Sequence, residues 1–280
     1  MITVRCVSRL RATSNDIFAL TVAPRRRLTA TMLDRTGSLA DSLAAALAPL
    51  SAPARLVELR RTLSGRIVFT HGFGVEGQLI FHWLAEHDLD IDVVTLDTGR
   101  LFPETYALWA ETERRYGRRI RAIYPERAAL EAMVDRYGID GFYDSKQARH
   151  ACCNVRKVKP LDAALDGAAA WITGARADQT ETRREAGLAS LDGSRGLIKF
   201  NPLFDWSRAA VLDAVAAADV PVNALHAQGY VSIGCAPCTR AIAPGEPERN
   251  GRWWWETDGV KECGLHLPRP AATRGKAACG

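Results

Sequence analysis

From residue 66 onward the chain alternates short β-branched runs with segments of helical period, and that alternation constrains the fold more than any other feature. "RIVFT" leads into "EGQLIFHWLAEH", "IDVVTLDT" into "PETYALWAETERRYG", and "IRAIYP" into "ERAALEAMVDRYG". "AAAWITGAR" and "LIKFNPL" follow, the second running into "DWSRAAVLDAVAAA". Strands separated by helices of this length join through right-handed crossovers, so the expected fold is α/β, a doubly wound and mostly parallel sheet covered on both faces. Upstream, leucines at helical spacing in "SLAAAL" and "PARLVELRRTL" predict a helical prologue packed on that sheet.

In such sheets ligands bind beyond the carboxyl ends of the strands, so the loops after "RIVFT", "VVTLDT" and "WITGAR" face the site. "THGFGVEG", residues 70–77, contributes His71, Gly72 and Gly74 between a strand and a helix, where backbone N–H groups can cradle an anion. Glycines there also serve turn geometry alone. "LDTGR" offers Asp97, Thr98, Gly99 and Arg100, a pattern equally suited to a turn with a helix-capping aspartate.

A chain of 280 residues fits one α/β domain with tails. No apolar run approaches the roughly 20 residues of a membrane span, so a soluble protein without membrane contact is expected. The net charge of +5 is spread out and suits an anionic small molecule as well as a nucleic acid. Residues 1–35 carry seven arginines against Asp16 and Asp34 with no clear apolar period. Residues 1–38 are therefore expected to be a disordered or misassigned extension, Met32 being able to open the folded chain.

The seven cysteines are Cys6, Cys152, Cys153, Cys235, Cys238, Cys263 and Cys279. An odd, clustered set without a secretory h-region points to thiols kept reduced in a cytoplasmic setting, where such spacings mean metal or catalysis. Cys152 and Cys153 in "ACCNVRKVKPL" with Cys235 and Cys238 in "GCAPC" make four thiolate ligands, the count for a structural Zn or an iron–sulfur cluster. On one tetrahedral Zn the sulfurs sit ~3.8 Å apart, whereas adjacent helical residues project about 100° apart. The vicinal pair thus fits a single small ion badly, and a [4Fe-4S] cube, with a corner for each thiolate, is favoured. Burying such a dianionic centre calls for nearby cations, which Arg156, Lys157, Lys159 and Arg240 can supply. Cys263 in "KECGLHLP" belongs to neither pair; with Lys261 and His266 close by, it reads equally as an activated nucleophile or an idle tail thiol.

Taken together, "LDTGR…PET", "CC…RK…PL", "WITGAR…Q…TR", "KFNPL.DW", "GYVSIGCAPCTRAI.PGE..R.GRWWWE" and "ECGLH" resemble the sulfonucleotide reductases, specifically the cluster-bearing, thioredoxin-dependent adenylyl-sulfate (APS) reductase branch. The resemblance spans residues 66–266. It implies an adenine nucleotide alpha hydrolase-like fold over residues 39–245 and a mobile catalytic segment and tail over residues 246–280. It implies an oxidoreductase of assimilatory sulfate reduction and cysteine biosynthesis that converts adenosine 5'-phosphosulfate to sulfite and AMP. Cys263 would attack the sulfate sulfur to give S-sulfocysteine, and reduced thioredoxin would release sulfite. By the same resemblance Lys157, Arg249, Arg252 and His266 contact the phosphosulfate, with Arg176 a further candidate. The "THGFG" turn, Leu96 and the four residues Asp97, Thr98, Gly99 and Arg100 would hold the α-phosphate and nucleoside. Cys152, Cys153, Cys235 and Cys238 would hold a [4Fe-4S] cluster that anchors loops and tunes the local field. The family's dimers and tetramers leave room for a homo-oligomer.

One departure stands out. Relatives often carry serines where this chain reads "THGFG", so His71 and Gly72 replace hydroxyl donors and leave the phosphate to backbone N–H groups and the imidazole. Three other readings remain. One is reduction of the 3'-phosphorylated nucleotide (PAPS); another is an ATP pyrophosphatase or sulfurtransferase. The last is a Zn-stapled binder of single-stranded nucleic acid using basic residues with Trp253, Trp254 and Trp255. The reductase reading has no nucleic-acid partner and gives the tryptophans no catalytic part.

Overall fold

The computed structural model describes residues 30–256 and Leu265. Helices α1 (Ala30–Leu47) and α2 (Ala52–Thr62) precede β1 (Ile67–Thr70), α3 (Val75–Glu86), β2 (Asp92–Leu96), α4 (Pro103–Tyr116), β3 (Arg121–Ile123) and α5 (Arg127–Tyr137). Next, α6 (Lys146–Cys153) runs through one wide π-type turn, Asn154–Val158, into α7 (Lys159–Ala164). Then come β4 (Ala170–Ile172), α8 (Glu181–Arg184), β5 (Ala189–Asp192), β6 (Leu197–Phe200) and α9 (Arg208–Ala217).

The six strands lie in the order β3-β2-β1-β4-β6-β5, all parallel except β5, which pairs antiparallel with β6. Successive residues point to opposite faces of a strand, and the core divides accordingly. Ile67, Phe69, Val93, Ala170, Ile172, Ile198 and Phe200 join one buried cluster with leucines of α1, α2 and α3. Val68, Val94, Trp171 and Leu197 join another with Leu161 and Ala164 of α7. Both faces are therefore covered, and each fully buried Leu, Ile or Phe contributes about 1.5–3 kcal/mol. β1 leads to its neighbour β2 on one side, while its other neighbour is β4, which makes the β1/β4 boundary the topological switch point.

Local chemistry sets the helix limits. Pro103 opens α4 and Gly117, at φ +62°, ends it. The Glu126 carboxylate accepts the Ala128 and Ala129 N–H groups at the start of α5, and the Ser207 hydroxyl accepts the Ala210 N–H at the start of α9. The helical prologue is clamped to the sheet by buried Arg55, which donates to the Leu47 and Pro202 carbonyls and pairs with Asp205 at 2.6 Å.

One strand goes beyond the sequence expectation, and the two expected boundaries fall at continuous structure. The boundary drawn at residue 38 falls inside α1, whose Ala40, Leu43 and Leu47 are buried in the core. The "ASLD" strand β5 was not expected; it is short and largely polar, and pairing with β6 with a turn tied by Asp192 to Ser194 and Arg195 holds it in place. The boundary at residue 245 is bridged by backbone pairing between Thr239 and Arg252. Among the described residues, no helix is long and apolar enough to cross a membrane.

Candidate active site

A cleft of about 270 Å³ opens at the switch point, walled by the loops after β1, β2 and β4 and by residues 231–235 and 248–253. Its first wall is the "THGFG" turn. His71 is 1% exposed and ringed by Phe69, Phe73 and Phe81. Burial drives its pKa down to about 3, with Gln78 pulling weakly the other way, so the imidazole is neutral. Its Nδ1 accepts the Phe73 N–H at 3.2 Å, which places the ring proton on Nε2. Phe73 adopts φ +57°, an unusual conformation for a bulky residue, and turns its ring onto Trp109 at 5.7 Å. Gly74 then occupies the N-cap of α3 with no side-chain cap, leaving the first N–H groups of the helix to an outside acceptor. Gly72, Gly74 and Gly77 line the cleft beside this terminus.

The turn after β2 splits in two. Thr98 lines the cleft, with Oγ1 3.3 Å from the Cys235 sulfur. Asp97 is occupied in the turn itself, accepting the Gly99 N–H and the Tyr106 hydroxyl at 2.8 Å each. Burial and that aspartate push the Tyr106 phenol up to about 12. Gly99 sits at φ +69°. Arg100 points to the Ile139 carbonyl and Asp140 and covers the Phe142 ring at 4.9 Å. Among these four residues, Thr98 is the one that lines the cleft.

Arg176 is fully buried but does not line the cleft; its guanidinium is shared among Glu76, Asp178 and Glu248. It braces the cleft rather than offering itself to a ligand. Two of its partners, Glu76 and Glu248, do line the cleft along with Gln179 and Arg183, and sequence reading missed all four. Only Gln179 and Arg183 had a signal, in the "Q…TR" spacing. Gly174 lets the β4 loop approach α3, since a methyl there would meet the Glu76 Cβ at 3.0 Å.

The cations expected at the site converge. The π-type turn that follows Cys153 buries both Arg156 and Lys157. Lys157 lines the cleft, as do Arg249 and Arg252. Arg240 instead pairs with Glu246.

The two cysteine pairs also come together. Cys153, Cys235 and Cys238 share a buried cluster with Phe142 and Trp253, and Cys152 packs against it. Burial alone would raise the Cys235 thiol, but Lys157, the Thr98 hydroxyl and Arg252 outweigh it and hold it below its ordinary value. Burial and the neighbouring Cys235 raise Cys238 to about 11, and burial also raises Cys152. Among the described residues, no group of three or more His, Cys, Asp or Glu side chains is arranged around a single metal ion. Cys263 and His266 lie outside the described residues, but Leu265 lines the cleft and packs on the Val68–Leu161–Trp171 cluster.

A doubly wound sheet with an uncapped helix terminus, a glycine turn and buried cations at its switch point defines an α/β protein whose cleft is suited to an anion. The sequence matches the model of the phosphoadenosine phosphosulfate reductase domain over residues 66–241, and the chain belongs to that family. It is 56% identical over 211 residues to adenosine 5'-phosphosulfate reductase of Rhizobium meliloti, covering 75% of this chain and 80% of the relative. With the protein of that name from Agrobacterium fabrum it shares 52% identity over 237 residues, 84% of this chain and 91% of the relative. Its fold is similar to that of phosphoadenylyl-sulfate (PAPS) reductase from Candida auris, solved as a phosphate complex. The TM-score is 0.61 at 24% identity, over 76% of this chain and 98% of that one.

Proposed function

We propose that the chain reduces adenosine 5'-phosphosulfate to sulfite and AMP, as an enzyme of sulfate assimilation. The observation that carries this reading is one cleft bringing together the anion-binding turn, Lys157, Arg249, Arg252 and Leu265, two residues past Cys263.

The α-phosphate takes the N–H groups at the start of α3 and the Nε2–H of His71. Lys157, Arg249, Arg252 and His266 take the phosphosulfate, the arginines through planar forks that match its oxygens. The Cys263 thiolate attacks the sulfate sulfur; an S–S bond forms, the S–O bond breaks, and its electron pair leaves on the AMP phosphate. Cations already in place at that phosphate stabilise the charge as it develops. A dithiol of the thioredoxin type then attacks the sulfocysteine, expels sulfite and ends as its own disulfide, supplying the two electrons.

The four cysteines suit a [4Fe-4S] cluster. They present thiols alone in one buried site, with Lys157 and Arg252 acting on Cys235 and Arg156 and Arg100 acting on Cys152. Cys152 and Cys153 of α6 with Cys235 and Cys238 would hold such a cluster, which would supply fixed negative charge there.

Turnover with reduced thioredoxin tests the reading. Sulfite and AMP should form in equal amounts from adenosine 5'-phosphosulfate. Strong preference for the 3'-phosphorylated nucleotide, or pyrophosphate release from ATP in place of sulfite formation, would refute it.

A further inference from the structure

Trp253 combines features that the reaction leaves unused. Its side chain is fully buried, yet its backbone sits at φ +42°, where residues bearing a side chain are rarely found. Its Nε1–H is buried with no hydrogen-bond partner among the described residues, so the indole is not kept for its donor. Two guanidinium carbons approach its ring instead, Arg149 at 4.7 Å and Arg252 at 4.8 Å from the centroid. Adjacent side chains in an extended segment point apart; the left-handed turn at Trp253 brings its ring back to the preceding arginine.

The two arginines are held differently. Arg149 is 2% exposed and its charge is matched by Glu256, which accepts from both Nε and Nη2. Arg252 lines the cleft, and its Nε donates to the Cys238 carbonyl at 3.4 Å. Its guanidinium also lies against the bare backbone of Gly234, where a methyl group would overlap it.

We propose that Trp253 is a positioning residue that sets Arg252 in the cleft: the indole ring and the side-chain-free surface of Gly234 fix the guanidinium between them, and the buried Arg149–Glu256 pair holds the ring. The inference rests on the reading of Arg252 as a ligand of the phosphosulfate. It gives the first tryptophan of "RWWWE" a task other than loop packing, and it explains why a glycine precedes Cys235.

The test is calorimetric binding of adenosine 5'-phosphosulfate to the full-length, anaerobically prepared C263S protein, which cannot consume it. R252A should weaken binding more than tenfold. W253F keeps an apolar plate of weaker quadrupole and removes the unpartnered N–H; it should weaken binding about three- to tenfold while its iron content matches the parent's and its urea midpoint falls only by what trimming a buried ring costs. G234A should approach the loss in R252A. In the cycle with R252A, adding W253F should cost nothing further, because the ring acts through that guanidinium. Parent-like binding by W253F, or losses that multiply in the double variant, would overturn the positioning role while leaving the functional reading intact. Parent-like binding by R252A would remove Arg252 from the substrate and overturn both the ligand assignment and the positioning role.

Discussion

The guanidinium of Arg156 donates to the backbone carbonyl of Thr98 at 2.6 Å, tying the π-type turn after the tandem cysteines to the turn after β2. Thr98 in turn places its hydroxyl 3.3 Å from the Cys235 sulfur. The two cysteine pairs, more than eighty residues apart in sequence, are thus linked through one threonine before any metal is considered.

Arg156→Ala breaks that link and leaves a buried carbonyl without its donor. A charge-assisted bond of this kind contributes about 1.5–3 kcal/mol. Urea unfolding should show a loss of that size, with less iron retained on gel filtration, and Arg156→Lys should recover part of both.

The cysteine site should hold about four irons per chain in anaerobically purified protein, with broad absorbance in the visible. Serine at Cys152, Cys153, Cys235 or Cys238 should abolish the colour, whereas serine at Cys263 should leave it intact. Stoichiometric zinc in colourless protein would contradict the assignment.

Arg176→Ala removes a fully buried cation from Glu76, Asp178 and Glu248. The carboxylates left behind are partly exposed, so the loss falls short of the about 3–5 kcal/mol of a fully buried unpaired charge, and the variant should still unfold at lower urea. Loss of turnover with full stability would instead make Arg176 a substrate ligand.

His71 is held neutral, with a pKa of about 3 against 6.5 for the free side chain. The unfolded chain therefore binds a proton that the folded chain refuses, so this residue's stabilising contribution is complete above pH 6.5 and falls as the pH drops toward 3. The slope approaches 1.4 kcal/mol per pH unit at most, about the value of one proton. Urea midpoints of the parent should fall from pH 7 to pH 5, and His71→Asn should flatten that fall.

The fold was legible because the sheet is parallel and doubly covered: β1, β2, β4 and β6 are apolar runs between helical periods, which the sequence displays directly. β5 was not, since "ASLD" carries little apolar signal and becomes a strand through pairing with β6 and packing beneath α1. At the site, the family resemblance pointed to Lys157, Arg249 and Arg252, where residue type alone would leave the two arginines as a solvated basic loop; all three line the cleft. The turn role of Asp97 was legible, but neither the Ile139 carbonyl and Asp140 that Arg100 meets nor the Glu76 and Glu248 carboxylates around Arg176, all from remote segments, could be read. Those partners are set by tertiary contact, as is the ring of Trp253 against Arg252.

The central claim is that the Cys263 sulfur receives the sulfonate group, and peptide mass spectrometry reads it most directly. Protein incubated with adenosine 5'-phosphosulfate and no reductant should carry one sulfonate on the peptide containing Cys263, and thioredoxin should remove it as sulfite. An unmodified Cys263 peptide from protein that still turns the nucleotide over would contradict the account.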